Sequence, residues 1–145
     1  MDLWKTDVDT LHEMALHNMT ILTPSTLEPI STVLASMVDE ETAALFENGA
    51  PDGELMWVLS NKQRINGATA ILDRTIMGRV EKILGPDFIL IPSSTCEFLA
   101  IPSTTETDTD SIRQMIKDVN SEMVAADEKL SDHPYKYYQH SLVCM

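Results

Sequence analysis

Pro86-Asp87-Phe88-Ile89-Leu90-Ile91-Pro92-Ser93-Ser94-Thr95-Cys96-Glu97-Phe98-Leu99-Ala100-Ile101-Pro102 consists of two apolar runs on either side of a short polar turn, fenced by prolines. Runs of β-branched and aromatic residues suit a pleated, half-buried surface. A proline cannot donate into a central ladder, so Pro86, Pro92 and Pro102 mark strand ends. The stretch reads as a β-hairpin, and it carries no catalytic signature.

Ahead of the hairpin, Asp73 is placed to cap a helix bearing Ile76, Met77, Val80, Ile83 and Leu84, which Gly85-Pro86 closes with a left-handed residue and a stop. Before that helix, residues 55–61 and 67–72 are nearly continuous in apolar residues and read as two antiparallel strands joined by a polar link. At the N-terminus, Val8, Leu11, Met14, Ala15 and Met19 share a helical face, with Thr6, Asp7 and Asp9 available to cap and charge its first turn. After the break at Thr23-Pro24, Ile30, Val33, Leu34, Met37 and Val38 give a cleaner stripe, with Pro29 in a first turn that tolerates it. These two helices are expected to pack as a hairpin. Residues 42–47 add a turn or two, and residues 48–53 form a loop and the seam of the chain.

On the C-terminal side, residues 103–109 are a polar loop, and Thr109 or Asp110 is expected to cap a last helix. Its stripe is Ile112, Met115, Ile116, Val119 and Met123, and its far face is Arg113, Lys117, Asp118 and Glu122. The tail over residues 130–139 is expected to supply a short fifth, edge strand, with Pro134 and Lys136 as edge devices. The fold class is therefore α+β: two N-terminal helices followed by ββαββα, with a mostly antiparallel sheet. A single domain is expected over residues 1–145, with an acidic helical hairpin in 1–48 and a sheet region in 55–145.

Ten Lys and Arg against 23 Asp and Glu give a net charge of −13. That balance argues against direct binding of nucleic acid or of an anionic membrane surface, since both require excess Lys and Arg. Residues 1–54 hold 11 acids and one base, Lys5, so the charge is concentrated there. It forms either a solvated, solubilising face or a surface that meets a basic protein partner. Two cysteines do not make a disulfide framework, the N-terminus lacks a basic and apolar leader, and no run approaches the ~18 apolar residues of a membrane span. A cytoplasmic, reduced protein is expected.

His12-Glu13-Met14-Ala15-Leu16-His17 resembles a zinc-protease helix, but its second His is one residue late. On a helix of 3.6 residues per turn, that puts the rings roughly 140° apart, so they cannot share a metal. No phosphate loop, nucleophile elbow or calcium loop is present, and no cofactor or metal is expected. Ser93 and Ser94 beside Glu97 could be assembled with Asp132 and His133 into a hydrolase-like site, although a Pro-Ser-Ser-Thr turn equally suits local side-chain to backbone bonding.

Trp57-Val-Leu-Ser-Asn with Asn66-Gly67-Ala68 is followed by Leu84-Gly85-x-Asp87-Phe88-x-Leu90-Ile91-Pro92-Ser93-Ser94-x-x-Glu97. Met115-x-x-x-Val119-Asn120 and Leu130-Ser131-Asp132-His133-x-Tyr135-x-Tyr137 come later. Together these segments resemble the domain-of-unknown-function 5688 family of bacterial proteins. The resemblance spans nearly the whole chain and implies no activity. Family members tend to carry a further N-terminal region, so the chain resembles the C-terminal part of the pattern, in a short natural or a trimmed form.

Two function classes follow. The first is a non-catalytic binding or inhibitor module, of bacterial, phage or mobile-element origin, that uses its anionic surface on a basic partner, with Asp39, Glu40 and Glu41 as contacts. The second is an enzyme with a non-standard site around Ser94, Glu97 and His133. A homo-oligomer remains open.

Overall fold

In the computed structural model, residues 5–38, 56–104 and 108–145 are described. Residues 39–55, which include Asp39, Glu40, Glu41, the turn at 42–47 and the loop at 48–53, lie outside them.

Helix α1 spans Val8–Leu22, and its N-terminus is capped by Asp7, whose carboxylate accepts the Thr10 N–H at 2.7 Å. These hydrogen bonds hold the Asp7 carboxyl below its ordinary range. Strand β1 (Ser25–Pro29) follows, and then the short helix α2 (Ile30–Ala35). Strand β2 (Trp57–Asn61) leads through a turn into a 3-10 helix (Gly67–Leu72), helix α3 (Arg74–Leu84), the hairpin β3 (Phe88–Ser94) and β4 (Glu97–Pro102), helix α4 (Thr109–Glu122), and a second hairpin of β5 (Tyr135–Tyr138) and β6 (Ser141–Cys144).

The six strands form one sheet in the order β1-β2-β4-β3-β5-β6, with every neighbouring pair antiparallel. The β3–β4 hairpin lies at its centre, with Leu90 opposite Ala100 and Ile91 opposite Leu99. Because side chains alternate across the pleat, the hairpin feeds two cores. Phe88, Leu90, Phe98 and Ala100 pack on one face with Leu59, Ala70 and the α3 residues Ile76, Met77 and Val80. Ile89 and Ile91 pack on the other face with Ile116 of α4. Tyr137 stacks on Phe88 with ring centroids 4.5 Å apart, which carries the first core out to β5.

Helix α3 follows the sequence expectation. Asp73 accepts the N–H groups of Thr75 at 2.9 Å and Ile76 at 3.4 Å, and Gly85, at φ 95°, donates its N–H to the Glu81 carbonyl.

Several expectations are corrected. Residues 67–72 form a 3-10 helix, not a strand, because Gly67, Ala68 and Ala70 are small enough to press a tight helix onto the sheet. The N-terminal helices are not a simple hairpin: strand β1 lies between them, with Leu27 as its single buried residue. Helix α2 stops at Ala35, leaving Met37 and Val38 exposed. Asp108, rather than Thr109 or Asp110, caps α4. It accepts the Asp110 N–H at 3.2 Å and a short bond from the Ser111 hydroxyl, which together lower its pKa.

Pro92 does not end β3, which runs on to Ser94. Strand β5 pairs only with Phe88–Leu90, so at Pro92 the neighbour that would need its N–H has already ended. A strand forms in the tail as expected, but β5 is not an edge: it pairs with β3 on one side and β6 on the other, so Pro134 and Lys136 do not serve as edge devices and β6 is the edge strand. No helix among the described residues is long and apolar enough to cross a membrane.

Candidate functional site

The first face of the sheet is incompletely covered. Beside the 3-10 helix it carries three adjoining hollows of about 720, 510 and 730 Å3, all lined in part by Leu72, which is 50% exposed. All three are the size of small-molecule sites, roughly 300–1,000 Å3. The first hollow has Leu90, Phe98 and Tyr135 as its floor, with Leu130, Leu142 and Cys144 on its rim. The second lies between the 3-10 helix and α1, which contributes Leu16 and Met19. The third is lined by Met77, Gly78 and Glu81 of α3, Tyr137 of β5, His140 and Leu142.

Helix α1 buries none of its residues, and Ile21 and Leu22 are more than 60% exposed. Isolated apolar side chains at a surface are ordinary, but a contiguous patch marks a contact surface.

The turns at one end of the sheet build the walls of the first hollow. Arg64 and Asn66 adopt left-handed backbone, at φ 52° and 50°, and deliver Gly67 against the β3–β4 turn. A Cβ on Gly67 would overlap the Cys96 carbonyl oxygen and the Ser60 hydroxyl, so only glycine fits. The turn is then held by three bonds: Ala68 N–H to the Thr95 carbonyl at 3.1 Å, Ser60 Oγ to the Cys96 carbonyl at 2.7 Å, and Thr95 N–H to the Glu128 carbonyl at 2.8 Å.

The residues singled out in the sequence fall into two groups. Ser93 Oγ donates to Glu97 Oε1 at 3.1 Å, and Glu97 Oε2 lies 3.5 Å from the guanidinium of Arg64, whose other arm is 3.0 Å from Glu28. By strand alternation, this cluster sits on the face opposite the hollows. The Ser94 hydroxyl accepts the Cys96 N–H at 3.1 Å, closing the turn.

Asp132 Oδ1 accepts from Asn120 Nδ2 at 2.8 Å, and the same amide reaches the Ser131 carbonyl at 3.0 Å. His133 is exposed, and its N–H donates to Ser131 Oγ at 3.1 Å. Among the described residues, no hydrogen bond or ion pair joins Ser93, Ser94 or Glu97 to Asp132 or His133. No three His, Cys, Asp or Glu side chains among them group as a metal site would. Cys96 and Cys144 are both free thiols.

Sequence reasoning missed Arg64, Glu81, Tyr137, His140 and Leu72. They come from separate elements and share no spacing, so the only usable signal is the three-dimensional one.

Residues 1–139 match the model of a family of unknown function, DUF5688, and the chain belongs to that family, which carries no assigned activity. No curated protein and no solved structure matches.

Proposed function

We propose that this member of the family is a non-catalytic binding protein, whose trough of adjoining hollows around Leu72 takes the apolar side of a basic, amphipathic protein segment. The observation that carries this reading is the continuity of the trough. Three concave apolar surfaces share Leu72, Leu16 or Leu142 at their borders, and the unburied helix α1 extends the apolar surface. An amphipathic helix recognised in a groove uses such a stripe of anchors. The net charge of −13 supplies the complement to a basic segment and steers its approach.

The hydrolase-like alternative around Ser94, Glu97 and His133 has less in its favour. The Ser94 hydroxyl is engaged by its own turn, and the Glu97 carboxylate is shared between Ser93 and Arg64. A cytoplasmic setting and Asp39, Glu40 and Glu41 as additional contacts for the basic partner belong to the same proposal.

The test is a calorimetric titration of the full chain with a Leu/Lys amphipathic helix of about four turns, against a Leu/Glu peptide of the same pattern. Binding of the Leu/Lys peptide alone, weakened at least tenfold by Leu72→Asp and by raised salt, is expected. Equal binding of both peptides, or indifference to Leu72→Asp, refutes the reading.

A further inference from the structure

The third hollow holds a carboxylate with no permanent counter-ion. Glu81 lies on the inner face of α3, and among the described residues its one ion pair is with Nδ1 of His140 at 3.6 Å. An imidazole is a cation only when protonated, so this partner is conditional. The same Nδ1 is shared with the Tyr137 hydroxyl at 3.2 Å. Arg74 also borders the hollow, but it starts α3 and stands seven residues before Glu81. Among the described residues no ion pair joins it to Glu81.

Two further features fit a ligand entering here. Gly78, in the middle of α3, faces open space: a Cβ there would meet nothing within 4 Å. Glycine in a helix interior is less stable than alanine, and here it leaves room beside Met77 for an incoming chain. The turn that carries His140 is also strained. Gln139 and His140 both have positive φ, 49° and 60°, in a two-residue hairpin loop where Asn-Gly is the favoured pair. Strain of this kind persists where the surrounding structure fixes it, and it clusters at functional positions. Here it sets the imidazole over Glu81.

We propose that this hollow is a pocket for the side-chain ammonium or guanidinium of a lysine or arginine on the partner. The aliphatic stem runs over Gly78 between Leu16, Met77 and Leu142, and the charge meets Glu81. The proposal rests on the binding reading above and names what that surface recognises. Tyr137 reports the local field: burial, and then the negative charge of Glu81, push its phenol above the ordinary value.

His140 is the competitor. Its Nδ1, 3.6 Å from Glu81, competes with an incoming cation for the carboxylate. The charged and titratable groups around the hollow are Arg74 and Glu81 from α3, Tyr137 from β5 and His140 from the turn, whereas α1 and β6 present Leu16 and Leu142.

The experiment titrates the 15N-labelled full chain with n-pentylammonium and, separately, with n-pentanol. Expected are shifts of the Gly78, Glu81, Tyr137 and His140 amides with the ammonium only. They disappear in Glu81→Gln and strengthen in His140→Ala, which removes the competing imidazole. Equal shifts with the alcohol, persistence in Glu81→Gln, or shifts that map elsewhere overturn the pocket.

The Leu/Lys peptide separates the two readings. If it binds, is lost in Leu72→Asp and is indifferent to Glu81→Gln, the pocket falls and the binding reading stands. If pentylammonium binds as expected and the peptide does not bind at all, the pocket stands and the binding reading falls.

Discussion

Alanine placed at Gly67 and at Gly78 should change stability in opposite directions, although both glycines lie in helical turns. At Gly67 the new methyl would overlap the Cys96 carbonyl and the Ser60 hydroxyl and would stand 2.9 Å from the Asn61 backbone nitrogen. Two of these three atoms belong to the backbone, so no rotamer change relieves the clash. Overpacking a tight site costs about 1–3 kcal/mol. Moving the 3-10 helix away also strips the Ser60–Cys96 bond from a serine that is only 1% exposed and stretches the bond from Ala68 to Thr95, adding about 1–3 kcal/mol. The intrinsic gain of alanine over glycine recovers at most ~1 kcal/mol. The net expectation for Gly67→Ala is a loss of about 1–5 kcal/mol.

At Gly78 no clash opposes that gain, so Gly78→Ala should stabilise by about 0.5–1 kcal/mol. Urea unfolding followed by far-UV circular dichroism reads both, with the slope against denaturant checked for constancy. A Gly67→Ala loss below about 1 kcal/mol, or a change of the same sign in both variants, would refute the packing argument.

Other perturbations test other parts of the structure. Ile91→Ala removes a buried side chain from the second core and should cost about 2–5 kcal/mol, read in the same urea experiment. Asn120→Ala leaves the Ser131 carbonyl and the Asp132 carboxylate without their shared donor. It should cost about 1–3 kcal/mol, visible as faster amide exchange through residues 130–134. Because the folded-state pKa of Tyr137 is raised, its contribution to stability is complete below the ordinary phenol pKa and is lost as pH rises through the folded value. Melting temperature should therefore fall above about pH 10, and less steeply in Tyr137→Phe.

What could be read from the sequence depended on whether an element is decided locally. Helix α3 carries its own start and stop, Asp73 and Gly85, and the β3–β4 hairpin has apolar residues on both faces because it is central and covered twice. Residues 67–72 were not legible as a 3-10 helix, because a short apolar run fits strand and helix alike. The decision is made by Cys96 and Ser60, whose positions along the chain give no hint of the contact with Gly67. Strands β1 and β6 escaped notice because edge strands need little apolar surface: β1 buries one residue and β6 none. The trough escaped for a related reason. Leu72 reads in sequence as the end of an apolar strand, and only the uncovered face of the sheet makes it a surface together with Gly78 and Leu142.

The polar residues that drew attention as chemistry, Ser93, Ser94, Glu97, Asp132 and His133, belong to segments that converge on one end of the sheet. There they sit in a dense set of side-chain to backbone bonds. Ser94 closes a turn, and Asn120 gathers Ser131 and Asp132, while Tyr135 donates from its hydroxyl to Ser131 Oγ at 3.1 Å. Backbone groups in buried turns require partners of the same residue types that catalysis uses, so composition alone cannot separate the two roles. Their neighbours Asn66, Thr95 and Leu130 line the first hollow, so these turns act as its frame.

The division of labour has a measurable consequence. Substitutions in the frame, such as Ser94→Ala or Asn120→Ala, should lower stability and change peptide affinity only in proportion to the fraction of folded protein lost. Leu72→Asp, at a half-exposed position, should leave stability within about 0.5 kcal/mol and reduce affinity at least tenfold. Measuring melting temperature and dissociation constant on the same preparations places each variant on one of two lines. If Ser94→Ala keeps its stability and loses binding, or gains the behaviour of Leu72→Asp, the turn is itself a contact site and the frame argument fails.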